Sequence, residues 1–326
     1  MRSGERILML QRRFPSANMA LVTGPRPILV DTGFGSDLPE TERLLAQLGV
    51  PPAKLHLIAN THFHVDHAGG NHGLQQACGV PVAASAPDAA LVNGRHPNAC
   101  DAAFLDHPVQ HYRVDRVLRD GDELDTGEVV LRVLATPGHT ASHLSFYAPA
   151  ERVLVLGDVF HRDDVAWLNL CTDGPDPVEQ MLATLDRLAR LPVAWACSGH
   201  GPRIDDVPAA LDAARRRYEK WREQPQKIGW HACKRLFGSA LMLEGGMDAE
   251  RVRAYLLNAP WFVESSRRIF ERQPEEFADQ LVAEMLRARA ARWQDGRLVP
   301  LTPYTPVPAG WVRPDMRPRF WPRDAL

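Results

Sequence analysis

Three imidazoles and one carboxylate fall within six residues, at His62, His64, Asp66 and His67 of the run Thr61-His-Phe-His-Val-Asp-His67. The run follows a short apolar segment, Leu55-His-Leu-Ile58, that reads as a strand. Divalent zinc takes imidazole nitrogen and carboxylate oxygen at ~2.0–2.2 Å, and a loop this rich in donors can serve two ions if other groups complete each shell. Alternate positions, His62 and His64, can converge on one ion while Asp66 and His67 turn toward another.

Three later positions supply such groups. Thr136-Pro-Gly-His139, Leu156-Gly-Asp158 and Cys197-Ser-Gly-His200 each put one donor at a glycine-flanked exit from a predicted strand. There the backbone can bend tightly enough to bring the side chain to a shared centre. Each alone is weak evidence; together and in this order they specify a metal site.

The remaining composition bounds the chain. Of its 326 residues 45% are hydrophobic and 24% charged, which excludes a disordered or collagen-like polymer. No apolar run approaches the ~20 residues that cross a bilayer. Ile7–Leu10, followed by Arg12 and Arg13, is too short for the core of a secretory signal, so a cytoplasmic location is expected. Five scattered cysteines without a CxxC pair predict buried thiols instead of disulfides or a zinc ribbon. The net charge of −2 conceals a split, with 18 Lys+Arg against 26 Asp+Glu over residues 1–215 and 20 against 14 over 216–326. An acidic front and a basic back predict regions with different surfaces.

To about residue 205 short aliphatic runs alternate with helical patterns, an α/β reading. Ile28–Asp31, Leu55–Ile58, Pro81–Ala84, Val129–Leu134, Leu144–Tyr147, Arg152–Leu156 and Ala194–Cys197 are predicted strands. Val178, Met181, Leu182, Leu185, Leu188 and Leu191 share one face of a helix stopped before Pro192, and Asp37–Leu48 is a second helix stopped at Gly49. Beyond Val207 the strands thin out. Asp212–Arg222, Asp248–Leu257 and Glu275–Ala291 are predicted helices, Asp295-Gly296 turns a hairpin, and the last 26 residues, with six prolines, form an extended tail. The expected organisation is a catalytic domain over 1–205, a mainly helical region over 206–300 and a proline-rich tail over 301–326.

With these motifs the sequence resembles the metallo-β-lactamase superfamily over about residues 1–205. Asp31, in Val-Asp-Thr-Gly33, matches the first family motif; His62, His64, Asp66 and His67 match the second; His139, Asp158 and His200 match the third, fourth and fifth. The resemblance implies a four-layer αββα sandwich. It further implies that His62, His64 and His139 hold one metal and Asp66, His67 and His200 the other, with Asp158 bridging and Asp31 orienting a ligand from behind. Antibiotic-hydrolysing members usually carry a cysteine or a non-ligand where this chain has Asp158, so true β-lactamase activity is not expected. The set is similar to that of hydroxyacylglutathione hydrolases, acyl-homoserine lactonases and phosphodiesterase-type members. Only 41 residues separate Asp158 from His200, too few for the large inserted domain of the β-CASP nucleases. Lactonases place a tyrosine near the bridging aspartate, where this chain has Phe160 and His161.

The implied cofactors are two divalent ions, zinc first, with iron or manganese as alternatives, sharing a water of lowered pKa. Asp66 would also aim the resulting hydroxide, and His161 is a candidate proton donor to the leaving group. The expected reaction is hydrolysis of a small ester, thioester or lactone. Alternatives are a phosphodiesterase or endoribonuclease using the basic C-terminal region, a mononuclear-iron enzyme like persulfide dioxygenases at His62, His139 and Asp158, and a slow-turnover metabolite sensor. The C-terminal helices followed by a β wing resemble the winged-helix-like region of lactamase-like proteins related to mitochondrial endoribonucleases. Its arginines are dispersed among acids, which favours a cap over the pocket or a homodimer interface above nucleic-acid contact. The expected partner is a small-molecule substrate and no membrane.

Overall fold

The computed structural model describes residues 5–321. Two sheets stack, and most of their inner strands bury side chains on both faces. The first runs, in spatial and chain order, β1 (Ile7–Leu10), β2 (Met19–Val22), β3 (Ile28–Val30), β4 (Leu57–Ala59), β5 (Val82–Ser85) and β6 (Arg116–Leu118). Its first three strands are antiparallel and the rest parallel. The second comprises β7 (Glu123–Asp125), β8 (Val130–Ala135), β9 (Leu144–Ala148), β10 (Val153–Gly157) and β11 (Trp195–Ser198), with only β10 and β11 parallel.

The period of two along each strand builds the layers. Val153 and Val155 point toward Ile28, Val30 and Ala59 of the first sheet. Their neighbours Leu154 and Leu156 point the other way, onto the face of a helix carrying Met181 and Leu185. On the outer side of the first sheet, Leu21, Leu29 and Ile58 pack against Leu45, Leu74 and Val92 of other helices. The result is the αββα order. Its helices are α1 (Leu38–Gln47), α2 (Val65–Ala68), α3 (Asn71–Cys78), α4 (Ala86–Asn93), α5 (Ala102–Leu105), α6 (Pro177–Leu188) and α7 (Val207–Arg222). α6 starts where the Asp176 carboxylate accepts the N–H groups of Val178 and Glu179, ahead of a proline that has no N–H to lose.

The C-terminal region builds a separate core from Phe237, Leu256, Trp261, Phe262, Phe277 and Leu281. It contains α8 (Pro225–Leu243), α9 (Ala249–Asn258), α10 (Pro260–Arg268), α11 (Pro274–Arg287) and a small sheet of β12 (Met247–Asp248), β13 (Ala291–Gln294) and β14 (Arg297–Pro300), with β14 central. Helices followed by a β wing is the order expected from the sequence. Some details differ. α8, α10 and β12 were not anticipated, and in α8 Gly229 and Gly238 interrupt the pattern. Yet a Cβ at Gly229 would stand 2.8 Å from Ile269 and 3.0 Å from the Phe270 ring, so the glycine lets the end of α10 pack closely. The last helix stops at Arg287, and Ala291, expected within it, opens β13.

The chain after residue 300 crosses back over the catalytic region. Trp311 packs its ring 5.2 Å from that of Phe34, and buried Trp321 donates its indole N–H to the Val109 carbonyl. All five cysteines are free, and all but Cys78 are buried. Among the described residues no helix is long and apolar enough to cross a membrane.

Candidate metal centre

The seven donors arise from different strand exits and meet at one edge of the two sheets. His62 and His64 lie between β4 and α2, Asp66 and His67 within α2, His139 after β8, Asp158 just past β10 and His200 after β11. They fall into two groups joined by one carboxylate. In the first, His64 Nδ1 is 3.1 Å from His62 Nε2 and 3.0 Å from His139 Nε2. In the second, His200 Nε2 is 3.2 Å from Asp66 Oδ2, and His67 Nε2 is 3.8 Å from the same oxygen. Asp158 faces both, with Oδ2 3.8 Å from His139 Nε2 and 3.5 Å from His200 Nε2, and Oδ1 3.4 Å from His67 Nε2.

These contacts fit metal ligands better than they fit hydrogen bonds. Donors ~2.0–2.1 Å from a tetrahedral zinc stand ~3.3 Å apart, close to the spacing found here. Moreover, the outer nitrogens of four rings are already engaged. His67 Nδ1 donates to Asp31 Oδ2 at 2.8 Å, His139 Nδ1 to the Trp167 carbonyl at 2.7 Å and His64 Nε2 to Asp101 Oδ2 at 3.0 Å. Thr61 Oγ1 gives its proton to Asp31 Oδ2 and so accepts from His62 Nδ1 at 3.0 Å. Each arrangement fixes the tautomer that leaves an inward lone pair, as ligands to a metal require. Buried His67 Nε2 and Asp158 Oδ1 have no hydrogen-bond partner among the described residues, and a shared cation would satisfy both.

The local electrostatics agree. Burial, reinforced by neighbouring imidazoles, holds His62 well below the usual histidine value and His139 at about 4, so both rings are neutral donors at pH 7. Burial also opposes charge on His200 and His67. There the carboxylates of Asp158 and Asp66 outweigh it, raising His200 to about 9 and His67 well above its usual value. A field that attracts protons this strongly will attract a dication.

Supporting contacts hold the loops. Asp31, at a left-handed φ of 61°, accepts both the backbone N–H and the hydroxyl of Thr61, each at 2.8 Å. His143 accepts the backbone N–H of Asp158 at 3.0 Å while its other nitrogen meets Thr136 Oγ1 at 2.8 Å. Replacing Asp31 by asparagine is expected to weaken metal binding by roughly 10- to 100-fold, because a neutral amide orients His67 less firmly. Competition with a chromophoric chelator measures this, and unchanged affinity would exclude the assigned role.

Asp88, on α4, braces the His139 loop by accepting the Ser142 hydroxyl at 2.5 Å. Burial lifts its carboxyl to about 8, nearby Asp101 adds to the shift, and the Ser142 and Ser85 hydroxyls oppose it. Because the folded chain binds this proton more tightly than the unfolded chain, whose Asp titrates near ~3.9, stability declines as pH rises from ~4 to ~8. Asp88→Asn should remove that decline, worth about a few kcal/mol between pH 5 and 8. Thermal melts at both pH values give parallel changes for the two proteins if this is wrong.

A cavity of about 510 Å³ opens over the donors. His64, Asp66, Asp158 and His200 form part of its wall, and α8 and α11 contribute the opposite side. The Trp167 indole lies parallel to His64 at 5.6 Å and the Phe14 ring parallel to His200 at 4.7 Å. His161 also lines the cavity, with its ring 5.5 Å from that of His200. Burial pushes its pKa to about 3, so at pH 7 it is a neutral hydrogen-bond donor without the extra proton of an imidazolium. His107 and His231, which sequence spacing did not single out, line the cavity as well. Asp101, Trp167 and Phe14 also went unassigned. Trp167 alone had a signal, as an aromatic in the polar loop after Asp158.

Residues 12–200 match a family model described as the metallo-beta-lactamase superfamily. A hydroxyacylglutathione hydrolase of Rhodobacter capsulatus is 36% identical over 172 residues, 52% of this chain and 57% of that protein. The beta-lactamase-like protein 2 homolog of Caenorhabditis elegans is 28% identical over 192 residues, 59% and 58% of the two chains. The matched segments thus span little more than half the length of these curated relatives. Among solved structures, a metallo-beta-lactamase family protein of Thermus thermophilus aligns with a TM-score of 0.58 at 24% identity, covering 90% of this chain and 98% of that one. BJP-1, a subclass B3 metallo-beta-lactamase of Bradyrhizobium japonicum, aligns at 0.54 and 21% identity over 69% and 92%. At these identities the likeness to the solved structures is one of fold.

Proposed function

The chain belongs to the metallo-β-lactamase superfamily, and given that membership we propose that it is a hydrolase of small esters, thioesters or lactones that holds two divalent ions, zinc first. The observation that carries the reading is the pair of donor groups joined by Asp158, with unpartnered buried atoms on His67 and Asp158. His62, His64 and His139 would hold one ion, Asp66, His67 and His200 the other, and Asp158 would face both. When bound, such a pair lowers the pKa of a water toward neutrality and polarises the scissile carbonyl.

The side chains supply the rest. Asp66 keeps a quarter of its surface open to the cavity, where it can accept a hydrogen bond from the attacking water and aim it. His161, neutral and within the wall, can donate its N–H to the developing oxyanion or leaving group. Trp167 and Phe14 cover the rings of His64 and His200 and keep bulk water from them. α8 and α11 close the opposite wall, which supports the cap role expected of the C-terminal region.

The nucleic-acid reading gains no such support. α11 presents Glu275, Glu276 and Asp279 to solvent, and Arg215 and Arg217 are paired with Asp186 and Asp164. The mononuclear reading would leave His64, Asp66, His67 and His200 without a purpose.

A panel of acyl thioesters, esters, lactones and phosphodiesters tests the proposal on metal-loaded protein. Hydrolysis of a carboxylic substrate that is lost to a chelator and restored by zinc is expected. Turnover of phosphodiesters alone, or of nothing at full metal content, would reject it.

A further inference from the structure

α8 lays one face along the cavity. His231, Arg235, Ser239 and Met242 follow at intervals of three and four residues, and all four line it. The face changes character along its length. His231 and Arg235 stand beside Asp164 in the loop that follows Asp158, whereas Met242, two turns on from Arg235, adds to an apolar lining that includes Leu105 and Met285. Arg235 lies within electrostatic reach of Asp158 and of His161.

The polar end is short of negative charge and of hydrogen-bond partners. One carboxylate, Asp164, serves two guanidinium groups, Arg217 at 2.6 Å and Arg235. One positive charge is therefore left over. His231 Nε2 is 3.5 Å from that same carboxylate without making a hydrogen bond, and both His231 ring nitrogens are buried and unpartnered among the described residues. His161 Nδ1 is unpartnered too. Buried polar atoms in a native fold nearly always have partners, so three unpaired ring nitrogens beside an undercompensated guanidinium mark a place built for a polar ligand. The other two cations of the lining are occupied, Arg162 by Asp163 and Lys234 by Glu284.

We infer that His161, His231 and Arg235 form a subsite for an anionic group, a carboxylate or a phosphate, which the substrate carries close to its scissile carbonyl, while its apolar body extends toward Leu105, Met242 and Met285. The inference rests on the hydrolase reading and specifies its substrate class. A substrate of this kind spans the polar and apolar halves of the cavity at once, and a charge beside the reacting carbonyl gives the orientation that chemistry on a small substrate needs.

The test compares the zinc-loaded chain on S-hexanoyl thioglycolate and on its methyl ester, which differ by one negative charge near the sulfur. S-hexanoyl 2-mercaptoethyl phosphate is the phosphate counterpart. The charged thioesters are expected to exceed the methyl ester at least roughly tenfold in kcat/KM, and the better of the two names the group. In Arg235→Gln the preference should fall by roughly 10- to 100-fold, mainly through KM, with partial recovery in Arg235→Lys. Should Arg235→Gln fail to fold, His231→Ala carries the same comparison. A wild-type ratio near one, or a ratio that survives the substitution at unchanged metal content, overturns the inference and leaves the hydrolase reading standing. Hydrolysis of none of the three overturns the inference, and it overturns the hydrolase reading as well only if the wider substrate panel is also untouched.

Discussion

Replacing Asp158 by alanine is expected to lower hydrolysis by about 10³-fold or more and to bring metal content below two equivalents per chain. Its two oxygens approach His139 at 3.8 Å, His200 at 3.5 Å and His67 at 3.4 Å, so the one side chain serves both donor groups. In the proposed binuclear centre, removing it takes a ligand from each ion. Charge stabilisation by a metal is worth several kcal/mol, and each ~1.4 kcal/mol is tenfold in rate. The backbone should hold its place, because the Asp158 N–H remains bonded to His143. Elemental analysis and kcat/KM on the best panel substrate read the outcome. A variant with full activity would remove Asp158 from the site.

Gly199→Ala should come close to the same loss without touching a ligand. A Cβ at this position would overlap Asp158 Oδ1 and stand 2.6 Å from His67 Cε1. Neither the backbone nor the ring has room to yield. The Gly199 N–H donates to the Gly157 carbonyl at 2.8 Å, its own carbonyl accepts from Asn18 at 2.6 Å, and His67 is tied to Asp31. The added methyl therefore displaces the shared carboxylate. A loss of at least roughly 100-fold in activity is expected, with metal released, at an overpacking cost of about 1–3 kcal/mol in stability. Wild-type activity and metal content in this variant would show that the end of β11 can shift to accommodate it.

The legible parts of the chain are those where chemistry or periodicity acts locally. Zinc-type donors at glycine-flanked strand exits identify themselves, and the continuous apolar run ending at Leu156 reads as a strand buried on both faces. The four-residue arms of β1 and β2 do not, since each is too short to establish a period. α8 was hidden by two glycines, one of which serves its packing against α10. Other contacts are purely tertiary. Asp101 reaches His64 from a left-handed φ of 50°, and Asp164 gathers Arg217 and Arg235 from more than 50 residues away. Nothing in the spacing of His231 and Arg235 announces a cavity wall. The basic excess of the back half proved to be partly this wall and partly arginines already paired with acids.

The most direct measurement is the metal content of the purified chain. Seven donors in two groups predict two equivalents of divalent metal, falling to one or fewer in His64→Ala together with hydrolysis. Less than one equivalent in the unaltered protein, or a His64→Ala variant that keeps both its metal and its activity, would contradict the binuclear centre.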